Sequence, residues 1–203
     1  DVDYDKTFES CDDFLDKNGN DNVDNSDIDG ITNFNFSAAR QEIINKFPTA
    51  IQSDITVSFY KNADDRNAAV NPITDISNYR NNSDPAYAYN QTIFIKIKNN
   101  NNNNCEGIGK LFLKTNTIPV FEVEGEAPND PIIICAKNIP YNLEVKNPAD
   151  DYNYVWRNEN GTPIGGNSTS IQISDGGKYT VTAFSKDNTI CENSKTIVVQ
   201  KSG

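Results

Sequence analysis

The sequence predicts an all-β protein made of two tandem antiparallel β-sandwiches, the first with one short helix and an acidic loop of calcium-binding type. Three observations carry this. Short β-branched and aromatic runs recur along the 203 residues, punctuated by Asn, Gly, Asp and Pro. Several of them alternate apolar with polar residues, as half-buried antiparallel strands do. Four cysteines, Cys11, Cys105, Cys135 and Cys191, show no C-x-x-C spacing, which favours disulfides over a zinc or redox site.

In chain order the expected strands are 55–60, 92–98, 111–113, 132–134, 142–145, 152–156, 171–173, 179–184 and 196–199. Ile93, Ile95 and Ile97 fall on one face of the second of these. One helix is expected, with Ser37 as its N-cap, Ala39, Ile43 and Phe47 on a shared face, and Pro48 as its stop. The asparagine run 99–104 reads as a solvated hairpin loop. A boundary near Thr117-Ile118-Pro119 divides the chain into domains 1–118 and 119–203. The halves end alike, Cys105-Glu106 preceding Lys110-Leu111-Phe112-Leu113 and Cys191-Glu192 preceding Lys195 to Val199, which points to homologous modules. Of the three pairings four cysteines allow, this division favours Cys11–Cys105 with Cys135–Cys191.

Composition excludes several functions. The chain is 36% hydrophobic, and no apolar run approaches the roughly 18 residues of a membrane span. A net charge of −11 argues against nucleic acid, whose phosphates need clustered Lys and Arg. Histidine is absent, which removes the commonest general base and the Ser-His and Cys-His nucleophile pairs. The opening residues have no basic segment followed by an apolar one, and methionine is absent, so the sequence reads as a processed product or a piece of something longer.

Residues 1–30 hold eleven acids against Lys6 and Lys17, a concentration that repels itself unless solvated or neutralised by a cation. Within it, Asp16, Asn18, Asn20, Asn22, Asp24 and Asp27 occupy positions 1, 3, 5, 7, 9 and 12 of a twelve-residue stretch. That is the spacing by which an EF-hand loop wraps one Ca²⁺, a hard cation taking six to eight oxygens. Asp21 stands where such loops place Gly, Asp27 is shorter than the usual Glu, and no helices flank the stretch. It therefore resembles dockerin or thrombospondin calcium loops more than a helix-loop-helix hand. Ca²⁺ would act structurally; Asp12, Asp13, Asp29 or Asp1-Asp3-Asp5 are candidates for a second ion.

In the second half, Asp175-Gly176-Gly177-Lys178-Tyr179 resembles the D-x-G-x-Y corner of immunoglobulin-like domains, with Tyr179 placed to bond back to the backbone and Trp156 on a central strand. No cysteine follows Tyr179 by two residues, so the antibody-type disulfide is not implied. Taken with Cys135, Pro140, Leu143, Tyr154-Val155-Trp156 and Cys191-Glu192, this half resembles the immunoglobulin-like or PKD-like modules of secreted Bacteroidetes proteins. The first half resembles repeats of large flavobacterial surface proteins. It shares their Cys11-Asp12 start, Asp29-Gly30, Phe34-Asn35-Phe36-Ser37, Val57-Ser58-Phe59-Tyr60, Asn71-Pro72-Ile73, Ile93 to Lys96 and closing Cys105. The resemblance implies type IX secretion, a cell-surface location and a non-catalytic role in adhesion or gliding motility. The implied partners are an extracellular ligand, polysaccharides among them, and neighbouring modules of the same chain, with no membrane insertion. A carbohydrate-binding module is the alternative, with Tyr79, Tyr87, Tyr89 and Tyr152 as stacking platforms. A hydrolase is disfavoured, because no pair of acids can be placed across a cleft.

Overall fold

The computed structural model describes residues 2–20, 28–81, 87–101, 106–126, 131–187 and 191–202. The chain divides into two units, Asp1–Thr117 and Ile118–Gly203, each with its own hydrophobic core.

The first unit contains β1 (Thr7–Cys11), β2 (Asn33–Phe34), α1 (Ala38–Ile44), β3 (Ile55–Tyr60), α2 (Ala63–Ala68), β4 (Tyr79–Arg80), β5 (Asn90–Asn99) and β6 (Glu106–Asn116). Four of these strands form a sheet of order β1-β6-β5-β3, and β2 pairs with β4. The alternation read in β5 decides which face is covered: Ile93, Ile95 and Ile97 are buried with Val57, Phe59, Leu111 and Leu113. Over that face lie Phe34, Phe36, Ala39, Ile43, Ile73, Ile76 and Tyr79, with Phe47 packed partly against them. Phe36 meets Phe59 and Tyr79 edge-on at 5.5 and 5.8 Å, a favoured aromatic geometry.

Local chemistry departs from expectation at both helices. Ser37 is itself helical in backbone and caps nothing; Asn35 Oδ1 accepts its N–H and its hydroxyl, at 3.1 and 2.7 Å. The second helix, α2, has no buried residue and so no apolar stripe to read from sequence. It forms because Asn62 Oδ1 accepts the Asp65 N–H at 2.8 Å, with Asp64 and Asp65 in the positive first turn.

The second unit contains β7 (Ile132–Cys135), β8 (Tyr141–Glu144), β9 (Tyr152–Asn158), β10 (Pro163–Ile164), β11 (Ser170–Ile173), β12 (Gly177–Ser185) and β13 (Glu192–Ser202). A five-stranded sheet of order β10-β9-β12-β13-β7 stands with the β11-β8 pair, so the unit is an immunoglobulin-like sandwich. Trp156 is fully buried between them and donates its indole N–H to the Ser168 carbonyl at 3.0 Å. The Tyr179 hydroxyl donates to the Asp175 carbonyl at 2.8 Å, closing the tyrosine corner.

Both units share a feature that no alternation pattern discloses. Their first strand lies parallel to their last, β1 on β6 and β7 on β13, while the other pairings given are antiparallel. No helix among the described residues is long and apolar enough to cross a membrane.

Candidate functional site

Four cysteines and an acidic insert are the chemistry-bearing features of the chain, and the registers of the terminal strands position the cysteines. In the first unit Cys11 ends β1 and pairs with Asn116, the last residue of β6. The Asp12 N–H donates to the Asn116 carbonyl at 2.9 Å, and the Asn116 side chain donates to Glu9 at 2.7 Å. Cys11 therefore stands at the exit pole, beside the residue from which the chain leaves the unit.

The backbone after Cys11 is held by a buried polar knot. Asp12 is 1% exposed, and its carboxylate accepts the Gly30 N–H at 2.9 Å and the Phe14 N–H at 3.3 Å. Burial pushes its carboxyl above the usual range, against the two N–H donors, which favour the ionised form. Gly30 in turn presents its carbonyl to three donors: Tyr89 N–H at 2.9 Å, Asn81 Nδ2 at 2.8 Å and Thr115 Oγ1 at 2.9 Å. Gly30 has φ +76°, and a Cβ there would meet Tyr89 at 2.6 Å. Only glycine fits. Asn81 also accepts the Thr32 N–H at 2.7 Å, which ties β4 to the same knot.

Arg80 anchors the start of the acidic insert. Its guanidinium pairs with Asp13 at 2.6 Å and donates to the Asp16 carbonyl at 2.9 Å and, more distantly, to that of Lys17 at 3.4 Å. Asp16, Asn18 and Asn20 lie on one tight turn, in which Asp16 Oδ1 accepts the Asn18 and Asn20 N–H groups at 2.9 and 3.1 Å. Asn22, Asp24 and Asp27 lie outside the described residues. Among the described residues no group of three or more Cys, Asp or Glu side chains is disposed to hold a metal. The acids named for a second ion have other duties: Asp13 pairs with Arg80, Asp12 serves the knot, and Asp29 accepts the Ile31 N–H at 2.8 Å.

In the second unit Cys135 ends β7 and pairs with Ser202, at the exit pole again. Cys191 immediately precedes β13 at its other end, eleven residues earlier in the chain than Ser202. At roughly 3.3 Å per strand residue that is about 35 Å, whereas a disulfide needs Cα atoms about 4.4–6.8 Å apart. The expected Cys135–Cys191 bridge is therefore ruled out, and Cys135 is a free, half-buried thiol. Cys191 marks the entry pole: two residues on, Asn193 donates its amide to the Pro119 carbonyl at 2.9 Å, where the chain comes into the unit. Cys11 and Cys191 are each disulfide-bonded. Cys105 lies outside the described residues. With Cys135 free and both Cys11 and Cys191 bonded, a Cys11–Cys105 pair would leave the bonded Cys191 no cysteine to pair with, so that expected pairing fails as well.

Of the four tyrosines expected as sugar platforms, Tyr79 and Tyr89 use their hydroxyls inside the first unit. Tyr79 is buried, donates to Gln91 at 3.1 Å, and has its hydroxyl pushed up to about 12 by burial. Tyr89 donates to the Ile28 carbonyl at 3.0 Å, and Tyr152 is half-buried edge-on to Tyr154 at 6.4 Å. Tyr87 gives its carbonyl to Asn81.

A family model described as the Flavobacterium inter-domain disulphide bond domain matches residues 7–119. No curated protein matches the chain. Among solved structures, it is similar to Sidekick-1 immunoglobulin domains 1–5, with 15% identity over 72% of this chain and 33% of that one, at a TM-score of 0.31. It is also similar to the Ig1 and Ig2 domains of DIP-gamma (11% identity, 73% and 84% coverage, TM-score 0.32). Drosophila N-cadherin EC1–4 is a third (10% identity, 73% and 42% coverage, TM-score 0.32). The chain spans about a third of the Sidekick-1 structure. The fold assignment rests on the strand orders and registers above, not on these likenesses.

Proposed function

We propose that this chain, which belongs to the Flavobacterium inter-domain disulphide bond domain family, is a non-catalytic, disulfide-stiffened segment of a secreted bacterial surface adhesin. Its functional bond is a Cys11–Cys191 bridge joining the two units. One observation carries the reading. Cys11 and Cys191 are both disulfide-bonded and Cys135 is free, so any pairing other than Cys11 with Cys191 would leave one of the two bonded residues no cysteine of this chain to pair with. The two bonded residues belong to the exit pole of the first unit and the entry pole of the second, one on each side of the short connection around Thr117. The family's description supports the same bond.

Such a bridge closes a loop of about 180 residues, which by the chain-entropy estimate stabilises the folded pair by about 5 kcal/mol. It also removes hinge freedom at the linker, as suits a stalk that transmits load. Disulfides persist in oxidising compartments, which supports an extracellular location. Ca²⁺ bound by Asp16, Asn18, Asn20, Asn22, Asp24 and Asp27 would neutralise the acidic insert and stiffen the same exit pole, already organised by Arg80. The immunoglobulin-like second unit and the absence of histidine support a non-catalytic role.

Peptide mapping without reduction tests the bond. The expected product is a Cys11 peptide linked to a Cys191 peptide. Recovery of Cys11 with Cys105, or of Cys135 with Cys191, would overturn the reading.

A further inference from the structure

The two units repeat one construction, and Cys135 holds the position in the second that Cys11 holds in the first. Each cysteine is the last residue of an edge strand that lies parallel to the unit's final strand. Each pairs with the last residue of that strand, Cys11 with Asn116 and Cys135 with Ser202. Both final strands begin at a Glu that follows a cysteine in the sequence. The chain thus leaves both units alongside a cysteine of the same topological rank. One of the two is disulfide-bonded and the other is a free thiol.

We propose that Cys135 is the donor half of a second inter-module disulfide. Its partner is the cysteine that opens the last strand of a module of this same build, attached beyond Ser202. The proposal rests on the Cys11–Cys191 reading, since it assigns to Cys135 the bond that Cys11 makes one module earlier. Within its own unit Cys135 has no alternative, because Cys191 is bonded and lies about 35 Å away along β13. The surroundings suit a covering neighbour. Ile133, two residues back and so on the same side of the edge strand, is 64% exposed, against 43–48% for Ile108, Val70 and Val120. Cys135 itself is partly accessible, as exchange chemistry requires.

Formation of the bond breaks two S–H bonds and makes one S–S bond. The two electrons and two protons pass to an oxidised dithiol–disulfide exchange protein, which leaves as its dithiol. Repeated along a chain, the rule would link every module to the next, each giving an exit-pole cysteine forward and receiving one at its entry pole.

The test is a non-reducing peptide map of the natural full-length protein as secreted, with free thiols alkylated before digestion. The expected result is Cys135 linked to a cysteine outside residues 1–203 that directly precedes a terminal strand. Replacing Cys135→Ser in that protein should leave Cys11–Cys191 intact and expose one new alkylatable cysteine in the following module. Recovery of Cys135 as an alkylated thiol, bridged to Cys105, or bridged to Cys135 of a second chain would overturn the proposal while sparing the parent reading if Cys11–Cys191 is found. Loss of Cys11–Cys191 from the map would remove both.

Discussion

Replacing Gly30→Ala is the sharpest single perturbation of the knot behind Cys11. Two costs add. Alanine at φ +76° sits in the left-handed region, at about 1–2 kcal/mol. Its Cβ would lie 2.6 Å from the Tyr89 backbone nitrogen and ring, so Tyr89 must move. That movement breaks or stretches the buried Tyr89 N–H to Gly30 carbonyl bond, at about 1–3 kcal/mol for an orphaned partner. The sum is about 2–5 kcal/mol. Gly161→Ala is the control: it has the same φ of +76° but nothing within 4 Å of the new Cβ, so only the first cost, about 1–2 kcal/mol, applies. Urea unfolding followed by far-ultraviolet circular dichroism reads both, with Trp156 fluorescence marking the second unit separately. With m near 2 kcal/mol/M, Gly30→Ala should lower the midpoint of the first unit by about 1–2.5 M. A shift no larger than that of Gly161→Ala in its own unit would refute the packing argument.

Further expectations concern the same corner. Asp12 holds its proton to higher pH folded than unfolded, so its contribution is greatest below about pH 4 and is lost as pH rises through the folded value. Asp12→Asn should therefore flatten the fall in stability as pH rises above about 4, and an unchanged pH profile in the variant would contradict the burial argument. Arg80→Met removes the donors to Asp13 and the Asp16 carbonyl. A loss of about 1–3 kcal/mol from the first unit is expected, and an unaffected urea midpoint would count against the anchor. Ca²⁺ should raise the melting temperature, and Asp16→Ala with Asp27→Ala should abolish the shift; persistence of the shift in that double variant would sink the loop assignment.

Much of the fold can be read from residues one at a time. The strict alternation of Ile93, Ile95 and Ile97 announces a one-sided strand, and Asp175 to Tyr179 announces its corner, because both signals are local. The disulfides could not be read this way. Two similar Cys-Glu segments invite intra-module pairing, and only the parallel register of β7 reveals that Cys135 and Cys191 sit at opposite poles of their module. Neither Thr7–Cys11 nor Ile132–Cys135 carries a sign of which strand it will pair with, or in which direction. The role of Arg80 is illegible in the sequence for a similar reason. Its partners Asp13 and Asp16 are more than sixty residues away, joined only once β4 meets β2. Ser37 looked like the helix cap because serine is a good one, yet Asn35 had already claimed its N–H and hydroxyl.

The central claim is a covalent tie across the linker, and cutting the linker tests it most directly. A protease site placed between Thr117 and Pro119 and cleaved to completion should leave a single species near 22.6 kDa on a non-reducing gel. That species should separate into two fragments only when dithiothreitol is added. Two fragments without reductant would show that Cys11 and Cys191 do not join the units.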